Sequence, residues 1–496
     1  MRKRAIIIGL LSIGALSLPI LAQKADDNLA KKKYDSGMTF YKERKYQEAL
    51  KDFNSILEKF PSTNWAALSL FQKGVYYKDV ASNPEDAKKN FEKLAQDFPH
   101  HKRATLALLN VGDIQLMSCD DLTSLNTPLS TFERLIRTYP WSENTAKAAF
   151  KAAGIYFRIG NVQKAMDKIK LIDDRFAASS FYADAVLLKA MIFIADSEYV
   201  EAAKQLQKLS STRKGSAQAA QAKKYLNALQ RLKLDTGYNY KVDSAFKLNA
   251  SQPVTSPQSI CLDETEQIFI FDSESKTVYI FDDKGAFVNT QAPACEAIAF
   301  FPGRGGKNIF VDAEGNIEID GQSIPLTFTD GDQSRPVIKP REVCVNSFGD
   351  LFVVSRKGDH IFRYNAKGIF KIRISKYEFE NINCLELDNF NRLYIIDDSF
   401  EGILIFNLTG LEVGRIPGEG KNYKMKEPVE IKFDKFNHMI VFDKGLNAFL
   451  VFDNNRNFIK QITVASPVED VIDFAISDSA EIFVLDEDQK TVLKLF

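Results

Sequence analysis

Four histidines, five cysteines and a recurring aspartate are the residues of this 496-residue chain best suited to chemistry. His100 and His101 are adjacent in a helix–helix turn. His360 follows a strand and His438 precedes one, so these two are expected on opposite faces, and no multi-His metal centre can be built from the set. The cysteines Cys119, Cys261, Cys295, Cys344 and Cys384 are odd in number and form no close pairs, which fits neither a disulfide framework nor a zinc site. Cys261 and Cys344 each lie eight residues before an aromatic (Phe269, Phe352), so they are expected at equivalent strand positions as packed thiols. Asp272, Asp312, Asp397, Asp443 and Asp486 each end an apolar run. Such residues could line a cation site, but the commoner role is to cap the following turn by accepting backbone N–H bonds. Gly303-Arg-Gly-Gly-Lys307 lacks the spacing and the Ser/Thr of a phosphate loop. Asp312-Ala-Glu-Gly-Asn316 lacks the alternating ligands and distal Glu of an EF-hand. No nucleophile elbow or His–Asp–Ser arrangement is visible. An enzyme, a cofactor and a bound metal are therefore not expected, and function is sought on surfaces.

The elements that would present those surfaces fall into two halves of opposite charge. Residues 23–235 carry 34 Lys+Arg against 25 Asp+Glu, and residues 236–496 carry 28 against 40. Neither half is basic enough to suggest nucleic acid; the sign difference suits mutual attraction or partners of opposite charge. Met1-Arg-Lys-Arg4 followed by Ala5–Ala22 reads as a secretory signal peptide cut ahead of Gln23. An uncleaved anchor is the rival reading, since the apolar stretch is just long enough to span a bilayer. No Cys lies near the cut, so the bacterial lipoprotein pattern is absent, and no later segment reads as a membrane-crossing helix.

Residues 25–235 have helical periodicity. Ala49, Ala87, Ala165 and Ala202 each open a helix whose apolar residues follow four and seven places on, as in Phe53 and Ile56 or Phe91 and Leu94. A small residue stands in each preceding partner helix (Gly37, Gly74, Gly112, Ala153, Ala190), although Gly costs a helix about 1 kcal/mol relative to Ala; close helix approach is the expected reason. Helices stop at Phe60-Pro61, Phe98-Pro99 and Tyr139-Pro140. With Gly37, Phe40, Tyr46, Ala49, Phe53 and Pro61 on the pattern, the segment resembles the tetratricopeptide repeat (TPR). Its long repeat spacing is similar to periplasmic TPR proteins of bacterial envelope assembly, such as those of the outer-membrane barrel-assembly and Tol systems. Pro128 departs from the pattern where Ala belongs, and the loop from Ser118 to Thr127 is enlarged. Residues 216–234 are expected to cap the stack.

Between residues 260 and 496 a second repeat appears. The runs Ile268–Asp272, Ile309–Asp312, Leu351–Ser355, Leu393–Asp397, Met439–Asp443 and Ile482–Asp486 recur about every 43 residues, a period that marks a repeat architecture. Turn signals such as Asp283-Lys-Gly285 and Ala366-Lys-Gly368 separate the strands, giving four per unit. Pro257-Gln-Ser-Ile260 leading to Ile268–Asp272, and Pro428-Val-Glu-Ile431 leading to Val441-Phe-Asp443, resemble the six-bladed NHL-type propeller. The chain stops inside the third strand of the last unit, so Tyr240–Leu248 is expected to complete that blade and close the ring.

The expected fold class is thus an α-solenoid of TPR-like hairpins followed by a six-bladed β-propeller closed by an N-terminal strand. The expected domains are a signal peptide (1–22), a helical repeat domain (25–235), a linker with closing strand (236–256) and an NHL-like propeller (257–496). TPR geometry implies a protein-binding concave face carrying Tyr34, Met38, Tyr41, Phe71, Lys78, Phe150, Phe157 and Arg158. The long propeller loops Thr329–Lys339 and Gly418–Glu427 suggest a second protein-binding face with Arg335, Lys421 and Lys424. The expected role is a non-catalytic, exported, periplasmic scaffold in cell-envelope assembly, with envelope proteins or peptides as partners. The alternative is a ligand-sensing or hydrolytic propeller with the helices as docking arm; carboxylates converging on the central channel would favour it.

Overall fold

The computed structural model describes residues 25–119, 122–235, 237–248, 254–302, 308–319, 321–330, 332–337, 339–346, 348–374, 379–463, 471–486 and 490–496. The expected signal peptide and the Gly303–Lys307 segment lie outside these. The described chain forms two compact units. One runs up to Ile155 and includes Lys170–Phe181; the other comprises Tyr156–Ile169 and Tyr182–Phe496.

Eleven helices occupy the described residues before the sheet. They are α1 (residues 25–42), α2 (Tyr46–Lys59), α3 (Asn64–Asp79), α4 (Pro84–Asp97), α5 (Ala104–Met117), α6 (Asn126–Thr138), α7 (Glu143–Arg158), α8 (Val162–Arg175), α9 (Tyr182–Ala195), α10 (Tyr199–Thr212) and α11 (Ala217–Leu229). The first ten follow as five pairs. In the first three, the small residue of one helix faces an aromatic of its partner. A Cβ built on Gly37, Gly74 or Gly112 would stand 2.8, 2.6 or 2.3 Å from a ring carbon of Phe53, Phe91 or Phe132. No side chain fits there, so the helices accept the propensity cost of Gly to bury those rings. Ala49, Ala87, Ala165 and Ala202 are fully buried. Pro128 falls in the first turn of α6, where the missing N–H costs nothing.

Six blades follow. Blade 1 comprises Pro257–Leu262, Ile268–Asp272, Thr277–Phe281 and Phe287–Gln291. Blade 2 comprises Ala297–Pro302, Asn308–Asp312, Asn316–Ile319 and Gln322–Pro325. Blade 3 comprises Val343–Val345, Leu351–Val354, Ile361–Tyr364 and Phe370–Ile374. Blade 4 comprises Ile382–Leu387, Leu393–Asp397, Gly402–Phe406 and Glu412–Pro417. Blade 5 comprises Pro428–Phe433, Met439–Asp443, Ala448–Phe452 and Phe458–Thr463. Blade 6 has three strands, Val471–Ile476, Ile482–Asp486 and Thr491–Leu495. Pairing within every blade is antiparallel, and each second strand is buried on both faces because it lies between two neighbouring blades.

Each blade shares a hydrophobic core with the next all the way round. Phe271 and Phe310 belong to one core between blades 1 and 2, and Val311 and Val353 to one between blades 2 and 3. Phe352 and Ile395 share the next core, Tyr394 and Val441 the one after, and Phe449 meets Phe474 at 5.0 Å between blades 5 and 6. Ile270 and Phe281 of blade 1 share a core with Phe483 and Leu485 of blade 6, which returns the ring to its start.

The expected closing strand over Tyr240–Leu248 is not formed as such. Val242 makes one isolated antiparallel bridge to Leu495. Lys241 and Phe496 exchange N–H···O bonds of 3.0 Å, and the Asp243 N–H donates to the Lys494 carbonyl at 2.7 Å. The Asp243 carboxylate then accepts the Ala245 N–H at 3.0 Å, and the chain turns away. The propeller is therefore held together by blade-to-blade packing, with a three-residue clip beside its last strand.

The last helices belong to the same core as the propeller. Leu206 of α10, Tyr225 and Leu229 of α11, and Leu232 in the π-helical turn Gln230–Leu234 pack with Phe436, Ile440 and Phe442 of blade 5 and Ile482 of blade 6. Tyr225 meets Phe436 edge-on at 4.9 Å. Basic side chains on these helices reach acidic ones on the blades: Lys224 pairs with Glu266, Arg231 with Glu481 at 3.6 Å and Lys233 with Asp453 at 3.7 Å. The charge difference between the halves of the sequence is put to use here.

Candidate functional site

The inner strands enclose a channel of about 580 Å³. Strands at this position alternate side chains between the two adjoining blades, and the residues that line the channel differ in chemistry from blade to blade. Blades 3 to 6 contribute Glu342, Glu386, Glu430 with Lys432, and Asp473; blades 1 and 2 contribute Ser259, Cys261, Ala299 and Phe300. One half of the wall is charged and the other is not.

Lys432 organises the charged half. Its Nζ lies 2.8 Å from Glu430, 3.1 Å from Asp473 and 3.8 Å from Glu386. Asp473 also accepts the Ile260 N–H from blade 1 at 2.9 Å, and Glu342 accepts the N–H of Val343 at 3.3 Å. Burial pushes the Glu342 carboxyl up to about 8, with nearby Glu430 adding to the rise and Lys432 opposing it. Burial likewise raises Glu430, to about 7, against the pull of Lys432, and it raises Glu386. For Lys432 burial acts downward, but Asp473, Glu430 and Glu386 outweigh it and hold the ammonium charged far above its usual range. Four carboxyl groups and one permanent cation share the wall, and part of the acid is protonated near neutral pH.

These residues were missed as a group in the sequence. The signal is a charged residue at the centre of an otherwise apolar inner strand, as in Pro428-Val-Glu-Ile-Lys-Phe433. A buried-strand reading has no place for such a charge unless the strand borders a channel.

The other sequence candidates are placed as follows. Cys261 and Cys344 do face equivalent aromatics, Phe269 and Phe352. Burial raises the Cys261, Cys344 and Cys384 thiols, so they are not poised as thiolates. Three of the recurring aspartates cap turns in the same way: Asp272 accepts N–H bonds from Ser256 at 2.7 Å and Ser275 at 2.8 Å, Asp397 from Asn381 and Ser399, and Asp443 from Lys426 and Leu446. Each thereby ties the segment before an inner strand to the hairpin beyond it. His438 is buried, with Nδ1 2.8 Å from Asp434. Among the described residues no group of three or more His, Cys, Asp or Glu is placed to hold a metal ion, and no helix is long and apolar enough to cross a membrane.

The helical residues expected on a binding face divide three ways. Tyr34, Phe71 and Phe150 contact aromatics of neighbouring elements. Tyr34 lies between Phe53 and Trp65 at 5.8 and 5.4 Å, Phe71 meets Phe91 at 5.6 Å, and Phe150 stacks on Phe181 at 6.5 Å. Phe157 and Arg158 contact propeller turns: Phe157 is edge-on to Phe390 at 5.7 Å, and the Arg158 guanidinium sits 4.8 Å over Phe348. Met38 and Tyr41 are half-buried and Lys78 is exposed. Tyr41 touches Tyr46 edge-on at 5.4 Å, and Lys78 donates to Asn110 at 3.1 Å.

On the propeller, both long loops prove to contain hairpins. Thr327–Asp330 pairs with Gln333–Pro336, setting Arg335 opposite Phe328. Glu419–Gly420 pairs with Tyr423–Lys424, and Lys424 bonds Glu419 at 2.7 Å across it, with Lys421 exposed at the tip.

Residues 26–156 match the family model described as "YfiO: Outer membrane lipoprotein". No curated protein matches the chain. Among solved structures, a streptogramin B lyase is similar at 14% identity over 52% of this chain and 98% of that one, with a TM-score of 0.39. The calcium-binding protein regucalcin from Agrobacterium tumefaciens is similar at 16% identity over 51% and 93%, with a TM-score of 0.37. A gluconolactonase from Xanthomonas campestris is similar at 12% identity over 54% and 92%, with a TM-score of 0.38. The helical repeat that precedes the propeller is thus similar, over its first three helix pairs and the first helix of the fourth, to a family of the bacterial outer membrane.

Proposed function

We propose that this chain is an exported, non-catalytic adaptor of the bacterial cell envelope that acts in outer-membrane assembly or maintenance by binding other envelope proteins. The match of residues 26–156 to an outer-membrane lipoprotein family carries this reading. Its docking element is the surface of the first helices around Met38, Tyr41 and Lys78, where aromatic and cationic groups keep access to solvent. The propeller face with Arg335, Lys421 and Lys424 is a second contact. Replacing Met38 and Tyr41 by Ala and Lys78 by Glu is expected to remove at least one protein from crosslinked envelope purifications, with helical content by circular dichroism unchanged. Retention of every partner would sink the assignment of that surface, and Arg335→Glu, Lys421→Glu and Lys424→Glu together test the second face in the same assay.

A second reading, ligand sensing in the propeller channel, is favoured by the convergence of Glu342, Glu386, Glu430 and Asp473 around Lys432. It expects saturable heat when a small organic cation such as choline is titrated into the full chain, and a flat titration would remove it.

A further inference from the structure

Blade 3 is the cationic exception in an acidic propeller. From Leu351 to Ile374 the sequence carries Arg356, Lys357, Arg363, Lys367, Lys371 and Arg373 against the single acid Asp359. Arg356, Lys357 and Arg373, with His360, gather round one cavity of about 260 Å³, separate from the channel. Its apolar side is built from Phe328 of the 327–336 hairpin and Phe362 of blade 3, stacked at 4.5 Å. Arg373 lies across from Phe362 on the next strand and is half-buried, while Arg356 and Lys357 stand exposed in the turn that follows the second strand. Asp359 is already engaged: it accepts the Ser355 hydroxyl at 2.6 Å and faces the His360 Nδ1 at 3.3 Å. The cavity therefore presents an excess of positive charge above an aromatic floor.

The geometry points to a binding site for an organic carboxylate that carries an aromatic or branched apolar group. A guanidinium meets a carboxylate through paired N–H···O bonds, and Arg373 can do so from a position beside the rings. The stacked Phe328 and Phe362 remove the apolar body from water. Three cations raise the local concentration of any anion at the mouth. The volume is below that of a drug-sized pocket and suits a single ring or side chain. The carboxylate could belong to a free small acid or to the end of a peptide chain. This site stands whether or not the loop face docks a protein.

Calorimetric titration of the full chain with phenylacetate, phenylacetamide and acetate tests the chemistry. Phenylacetate is expected to bind at least about tenfold more tightly than either of the others, since each lacks one of the two recognised groups. Arg373→Gln and Phe328→Ala are each expected to weaken it about tenfold or more, while Lys367→Gln, on the same blade but outside the cavity, changes it less than about twofold. Melting temperatures verify folding, and Arg356→Gln, in an exposed turn, serves if Arg373→Gln does not fold. The tripeptide Gly-Gly-Phe and its C-terminal amide identify the source. Tighter binding of the free tripeptide than of phenylacetate assigns the site to peptide ends, and the reverse order assigns it to small acids. Equal binding of acid and amide, equal damage from Lys367→Gln and Arg373→Gln, or no heat from either acid would overturn the proposal.

Discussion

A fragment beginning at residue 236 is expected to fail as a folded propeller, whereas one beginning at Tyr182 is expected to unfold cooperatively. The cut at 236 follows the boundary suggested by sequence, between helical and strand periodicity. It removes Tyr225, Leu229 and Leu232 from a core in which they are almost fully buried. At roughly 1.5–3 kcal/mol each, their loss alone is about 5 kcal/mol or more, against a total stability of about 5–15 kcal/mol for a typical domain. The cut also strands polar groups. Arg231 donates to the Ser479 carbonyl at 2.8 Å, Gln221 to Asp478 at 2.5 Å, and Lys224 pairs with Glu266. Burial and the fixed geometry of these bonds make their removal costlier than their formation is favourable. Soluble yield, dye binding to exposed apolar surface and a thermal melt of the two fragments decide the matter. A sharp melt from the 236–496 fragment, matching that of 182–496, would show that the helices merely rest on the blades.

Replacing Lys432 by Met is expected to destabilise the propeller by about 3–5 kcal/mol at pH 8, because three carboxylates lose the cation that compensates their burial. The loss is expected to shrink at pH 5, where Glu430 takes up a proton instead. The unsubstituted chain has its own pH dependence. Glu342 and Glu430 hold protons up to about 8 and about 7 in the fold, while an unfolded glutamate releases its proton near 4.3. Between those limits the folded state binds more protons than the unfolded state, so stability falls as pH rises through the window and levels off above it. Glu342→Gln removes one of these groups and is expected to flatten the fall. Urea melts of the three proteins at pH 5, 6.5 and 8 read both effects. A Lys432→Met penalty that grows toward acid pH, or an unchanged slope in Glu342→Gln, contradicts the electrostatic account of the channel.

The architecture was legible because its signals are periodic and local. Ala49, Phe53 and Ile56 announce one buried helical face, and Gly37 announces the close approach that buries Phe53. Runs such as Ile268–Asp272 announce a strand buried on both sides, and the terminal Asp announces the turn it caps. In each case the residue type follows from backbone geometry within a few positions, so spacing along the chain is enough. The number of blades follows from counting the same signal.

What spacing could not reach was any feature made by residues distant in sequence. Val242 reads as part of a long closing strand, yet only three residues pair, because the Asp243 side chain bonds the backbone of its own turn and ends the ladder. Phe157 and Arg158 read as open surface of a helical repeat, but they lie on Phe390 and Phe348, some two hundred residues away. Glu342, Glu386, Glu430, Lys432 and Asp473 are scattered over more than a hundred residues, and only the closing of the ring sets them on one wall. Strand patterns determine which side of a blade a charge occupies. Its partners and its proton affinity depend on distance and desolvation, which exist only once the blades are assembled.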